Sequence, residues 1–230
     1  MAIQLTLQTI LSTTTINSNH DHHGYQQRLL DGLEFLGHSP DRLEIELYQL
    51  VDLYRNGEPV SMSTRGGQFE PLDRLIEEVG VDAVRYNFLT TNHNRPLDFD
   101  IDVALSESEE NPVYYVQYAH TRMAGILRKS SDLEEDLTEE QLEWSPEAHQ
   151  LLVRALDFPY HSFKAMKERE PHQLTYRLKT LAGMFHTFYT QCRVNDPDKP
   201  QKTTLALIRF LKQVFSSGLG LLGVSAPERM

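Results

Sequence analysis

The sequence predicts a mainly α protein in which a C-terminal helical bundle follows a small α/β segment. Three observations carry that expectation. Helix-starting combinations recur through the second half, at Asn111-Pro112, Ser145-Pro146-Glu147 and Pro171. Apolar residues recur behind them at helical spacing. Period-two alternation is concentrated in one stretch before residue 65, where Asn56-Gly57 supplies a hairpin turn.

The elements follow in chain order. Residues 2–16 alternate weakly and are rich in Thr and Ile, which fits a strand or an ill-ordered arm. Leu29, Leu30, Leu33 and Leu36 give Gln26–Leu36 one apolar helical face, with Gly37 as a stop. Leu43, Ile45, Leu47, Val51 and Leu53 then alternate, and Val60 and Met62 extend the strand returning from Asn56-Gly57. Pro71–Val79 and Asp82–Leu89 read as two short helices separated by Gly80, and Leu97–Asp102 as a polar connector. Asn111 can cap a helix that Pro112 enters and that runs to Lys129. Ser145-Pro146-Glu147 opens the next helix, with Leu151, Leu152 and Leu156 on its inner side, and Pro159 marks a break or a new start. Pro171 opens a helix containing Leu174, Leu178, Leu181 and Phe185, and Thr203–Ser216 forms the last long one. Four helices in about 120 residues fit a bundle. Three parts result: residues 1–65, 66–110 and 111–230.

Composition narrows the function classes. Hydrophobic residues make up 40% of 230 residues, and no apolar run approaches the roughly 18–20 needed to cross a bilayer. The start lacks the features of a secretory signal, and Cys192 is the single cysteine, so a soluble chain in a reducing cytoplasm is expected. The formal charge of −11 disfavours a polyanionic partner at first sight. Its distribution weakens that argument, because residues 148–230 hold 12 basic against 6 acidic side chains and can neutralise phosphates, although composition alone favours ordinary solvated helix faces. His20, Asp21, His22 and His23 carry metal-ligand chemistry, but adjacent strand residues point to opposite faces and no distant signature completes a site. No metal is expected.

His20–Tyr25, Gly57–Val60, Val79–Tyr86, Pro96–Asp100, the run NPVYYVQYAHTR from Asn111 to Arg122, Glu170–His172, Leu181–Gly183, Phe185–Tyr189 and the ending GLGLLGVSAPERM follow one another along the chain. Together these segments resemble the tRNA-reading half of bacterial arginyl-tRNA synthetases, His20–Tyr25 being similar to that family's GADHHGY. The likeness covers roughly residues 20–230. It implies a helical bundle of the class I synthetase anticodon-binding type over 111–230, a stem-contact-like connector over 66–110 and a Rossmann remnant over 1–65.

The departures from the family bear on activity. Where it carries a KMSKR-type loop, this chain reads Ser61, Met62, Ser63, Thr64 and Arg65. Hydroxyls cannot supply the positive charge that the loop lysines give the phosphoryl transition state. No HIGH-type segment occurs, so the resemblance implies a protein that is not an enzyme and takes no ATP or other cofactor. Its expected partner is tRNA, tRNA-Arg in particular, with base contacts from Asn111, Tyr114, Gln117, Tyr118, Tyr189, Arg229 and Met230. Arg193 and Lys212 are expected phosphate contacts. A regulatory or homo-oligomeric interaction module is one alternative, with a second copy or a full-length synthetase as partner. A ligase fragment working with a separate catalytic chain is another.

Overall fold

A computed structural model describes residues 14–19, 24–60, 70–130, 145–191 and 202–230. They divide into two compact units. The smaller holds the described residues up to Asp52 together with Thr91–Asp98, and the larger holds the rest.

In the smaller unit, strand β1 (Thr14–Asn19) pairs in parallel with β2 (Leu43–Tyr48), Thr14 opposite Leu43 through Asn19 opposite Tyr48. Helix α1 (Gln26–Phe35) lies between them in sequence, making the β–α–β connection that parallel strands require. Of the Thr/Ile-rich start, residues 14–16 belong to β1, and residues before 14 lie outside the described set. The alternating run also splits. β2 ends at Tyr48, after which the Gln49 N–H donates to the His93 carbonyl (2.8 Å) and the Leu97 N–H to the Leu50 carbonyl (3.2 Å).

Strand β3 (Val51–Arg55) then forms an antiparallel hairpin with β4 (Glu58–Pro59). Asn56 and Gly57 both take positive φ, 53° and 74°, as a type I′ turn demands. The Val60 N–H still donates to the Leu53 carbonyl at 2.8 Å; Met62 lies outside the described residues. The expected connector is in fact regular. β5 (Leu97–Asp100) makes the sheet order β4-β3-β5, and Asp100 Oδ1 accepts from the Asp102 and Val103 N–H groups to start α4 (Ile101–Leu105).

The larger unit is helical. α2 (Leu72–Val79) and α3 (Val81–Phe88) meet at Gly80, whose φ of 86° breaks the helix between them. α5 (Pro112–Lys129) follows, then α6 (Pro146–Leu156), α7 (Phe158–Glu168), α8 (His172–Gln191) and α9 (Lys202–Leu221). Residues 111–230 thus contain five described helices where four were expected, because α7 starts anew with Pro159 in its first turn. α5 packs on both α8 and α9, and α6 also packs on those two. Val116, Met123, Leu151, Leu178, Phe185, Leu211 and Phe215 fill the centre. Tyr86, fully buried, donates its hydroxyl to the Thr175 carbonyl at 3.0 Å and ties α3 to α8.

α9 runs five residues beyond the expected Ser216 because its glycines do packing work rather than stopping the helix. A Cβ on Gly218 would stand 2.7 Å from Phe158 Cζ and 2.8 Å from Leu178 Cδ2. The stop comes at Gly223 (φ 68°), where Val224 N–H donates to Leu219 O and Gly223 N–H to Gly220 O in a Schellman closure. Replacing a mid-helix glycine by alanine gains up to about 1 kcal/mol in propensity. Overpacking a filled core costs roughly 1–3 kcal/mol. Because Phe158 and Leu178 are both buried, the steric cost dominates: Gly218→Ala lowers the denaturant midpoint, and an unchanged or raised midpoint contradicts this packing.

Candidate nucleic-acid interface

At about 100° per residue, α5 sorts its side chains into three stripes. Val113, Val116, Ala119, Met123 and Ile126 face the core. Gln117, His120, Thr121 and Arg128 form a polar stripe, and Tyr114, Tyr115, Tyr118 and Arg122 an aromatic and basic one.

The polar stripe holds the chain's last residues. Gln117 Nε2 donates to the Ser225 carbonyl (3.0 Å) and to Asp82 Oδ2 (2.9 Å). His120 Nδ1 lies 2.9 Å from the Pro227 carbonyl, which also accepts from Thr121 Oγ1 at 2.8 Å. Arg128 Nη1 donates to the Glu228 carbonyl at 2.8 Å. From α3, Asp82 accepts the Ser225 N–H at 3.1 Å and the Ser225 hydroxyl. The Glu228 carboxylate pairs with Lys212 Nζ on α9 at 2.6 Å, and that contact holds its pKa below the usual range. An extended tail has no ladder of its own, so side chains satisfy its backbone.

The aromatic stripe lies alongside. Tyr114 and Tyr118 are nearly parallel, with centroids 5.9 Å apart and 8° between planes. His186 of α8 stacks against Tyr118 at 5.9 Å and tilts against Tyr115 at 4.9 Å. The Arg122 guanidinium sits 4.3 Å from the Tyr189 ring centre and 5.3 Å from that of Tyr118. Burial is the main cause holding the His186 pKa below its ordinary value. A continuous row of half-buried rings with one cation results, a surface of the kind on which unpaired bases stack. Beside Tyr114 opens a cleft of about 420 Å³ between Gly80–Ala83, Leu105–Glu107 and the start of α5.

The expected site residues therefore separate. Tyr114, Tyr118 and Tyr189 come together in the row. Asn111 is occupied by the fold: its Oδ1 caps α5 and its Nδ2 donates to the Ala104 and Ser106 carbonyls at 2.9 and 2.8 Å. Gln117 is buried under the tail, and Lys212 is paired with Glu228. Arg229 and Met230 are exposed at the end of the held segment. Arg193, the loop Ser61–Arg65 and His20–His23 lie outside the described residues. Sequence reasoning passed over Asp82, Arg122 and His186. Arg122 had a local signal, its place four residues after Tyr118 on one helix face; Asp82 is 143 residues from Ser225 and had none.

Helix bundle and tail define an anticodon-binding type of domain, and comparison with known proteins identifies it. The family described as the DALR anticodon binding domain matches residues 116–230, half of the chain, and the chain belongs to that family. The arginine–tRNA ligase of Carboxydothermus hydrogenoformans is 45% identical over 91% of this chain, which spans 39% of that ligase's length. A Campylobacter jejuni structure described as an arginyl-tRNA synthetase superposes with a TM-score of 0.84 at 30% identity, over 95% of this chain and 48% of that one. The Thermus thermophilus arginyl-tRNA synthetase shares the fold (TM-score 0.76, 24% identity, 95% of this chain and 41% of that one). The chain is thus similar to about two-fifths of these relatives, a mainly helical region with its anticodon-binding domain.

Charge-assisted hydrogen bonds contribute roughly 1.5–3 kcal/mol each. Asp82→Ala removes two such contacts from the tail and is expected to speed carboxypeptidase trimming past Glu228 about tenfold or more, read by mass spectrometry. A wild-type trimming rate contradicts the clamp.

Proposed function

We propose that this protein binds tRNA, tRNA-Arg in particular, through the aromatic row of α5 and α8 and the adjoining tail, and does not itself catalyse aminoacylation. The observation that carries the reading is the continuous row Tyr114–Tyr118–Arg122–Tyr189 on a domain of the anticodon-binding family. The 420 Å³ cleft beside Tyr114 offers a place for an unstacked base, and Arg229 and Met230, exposed beyond the held tail, are available to RNA. Residues 1–65, 66–110 and 111–230 serve as catalytic-domain remnant, connector and reading domain. The lack of ligase activity rests on Ser61 and Thr64, neutral groups where the family's loop lysines stand. Binding gives the chain a role in translation: sequestering, delivering or protecting tRNA, or modulating a full-length synthetase.

A second reading, a module that docks on protein, is favoured by one observation. α1 buries none of its residues, and Phe35 and Leu36 at its end are 91% and 71% exposed. On that reading the smaller unit takes a partner chain or a second copy.

Equilibrium titration against tRNA-Arg and an unrelated tRNA separates the two. Selective, salt-dependent association supports RNA binding. Tyr118→Ala is expected to weaken it by roughly 1–3 kcal/mol, about five- to 150-fold, while helicity is retained. Arginine-dependent ATP–pyrophosphate exchange is expected to be nil. A chain that self-associates and ignores both tRNAs overturns the proposal in favour of protein docking.

A further inference from the structure

A second cationic cluster lies across α6, α7 and α8. Arg154, His161, Lys164 and Arg177 are close enough to act on one another electrostatically, and Asp157 is the acid facing them. Lys164 has a partner in Glu168 at 3.9 Å. Arg154 and Arg177 make no ion pair within 4 Å among the described residues. Both line a recess of about 140 Å³ floored by Phe158 and Leu181 and edged by Thr180 and Tyr176. Phe158 and Leu181 are buried, whereas Tyr176 and Tyr160 are 72% and 66% exposed beside the cations. Burial first, and then the neighbouring Arg154 charge, hold the Arg177 pKa below its usual value.

Two guanidinium groups kept side by side over an apolar floor repel each other more than they would in open water. An anion bridging them removes that cost, and guanidinium forks match phosphate oxygens bidentately. Arg177 precedes His186 by nine positions on α8, about half a revolution round the helix axis. The recess is therefore separate from the aromatic row and turned to the opposite side of the same helix.

We propose that the Arg154–Arg177 recess is a phosphodiester-binding site, a second contact that holds backbone phosphates of an RNA whose unpaired bases stack on the aromatic row. The assignment rests on the tRNA-binding reading above and adds the groups that grip the stem. It also explains how a chain of charge −11 can hold a polyanion, through a local concentration of cation on its basic C-terminal part.

The test is the salt dependence of tRNA-Arg binding by the full chain. Each phosphate contact adds about 0.7–0.9 to the slope of log affinity against log salt. The double variant Arg154→Gln/Arg177→Gln is expected to bind more weakly with a slope reduced by about 1.4–1.8, and Arg154→Lys/Arg177→Lys to recover the slope. Tyr118→Ala is expected to lose affinity at unchanged slope. Inorganic phosphate that binds the wild-type chain but not the glutamine variant, and that saturating tRNA-Arg does not displace, assigns the recess to free phosphate and overturns the proposal. A glutamine variant with wild-type slope and affinity, beside a weakened Tyr118→Ala, overturns it while the tRNA-binding reading stands. A wild-type chain without salt-dependent binding removes both.

Discussion

The larger unit depends on one helix serving three neighbours at once. α5 gives its apolar stripe to α8 and α9, its polar stripe to the tail and its aromatic stripe to the surface shared with α8. None of these can turn without the others, because all three stripes belong to one continuous helix. The cap at Asn111 fixes where that helix begins, and its side-chain amide anchors the start to the carbonyls of Ala104 and Ser106. Asn111 thus sets the register of the rings downstream without standing among them.

The tail translates that register into a surface. Gly223 turns the chain out of α9 at a positive φ, with Arg85 crowding the space a side chain would take. Ser225 to Glu228 then run over the polar stripe, with carbonyls accepting from Gln117, Thr121 and Arg128 and facing His120. Five side chains of α3 and α5 hold a few irregular residues, and the two charged ones, Asp82 and Arg128, make the stronger class of hydrogen bond. Arg229 and Met230 follow directly on this clamp, which is why the proposed function includes them.

Elements governed by local rules were legible in the sequence. Asn111-Pro112 gave the start of α5, Asn56-Gly57 the hairpin, and Ser145-Pro146 the start of α6, since capping and positive φ depend on adjacent residues. Tyr114 and Tyr118 were readable as a pair because four residues is one helical turn. What escaped is set by distant partners. The end of α9 could not be placed because Gly218 looks like a breaker until Phe158 and Leu178 are packed against it. Gln117 looks like a group for reading bases until Ser225 and Asp82 occupy it. Likewise the single alternating run gave no sign that Leu43–Tyr48 would pair with β1 and Val51–Arg55 with a different sheet.

Hydrogen–deuterium exchange of the full chain with and without tRNA-Arg tests the central claim most directly, since it reports every backbone segment together. The account predicts slower exchange over the first three turns of α5, the Gly183–Thr190 stretch of α8 and residues 223–230, with the interior of α9 unchanged. Protection confined to the smaller unit, or none at tRNA concentrations that saturate a titration, would contradict it.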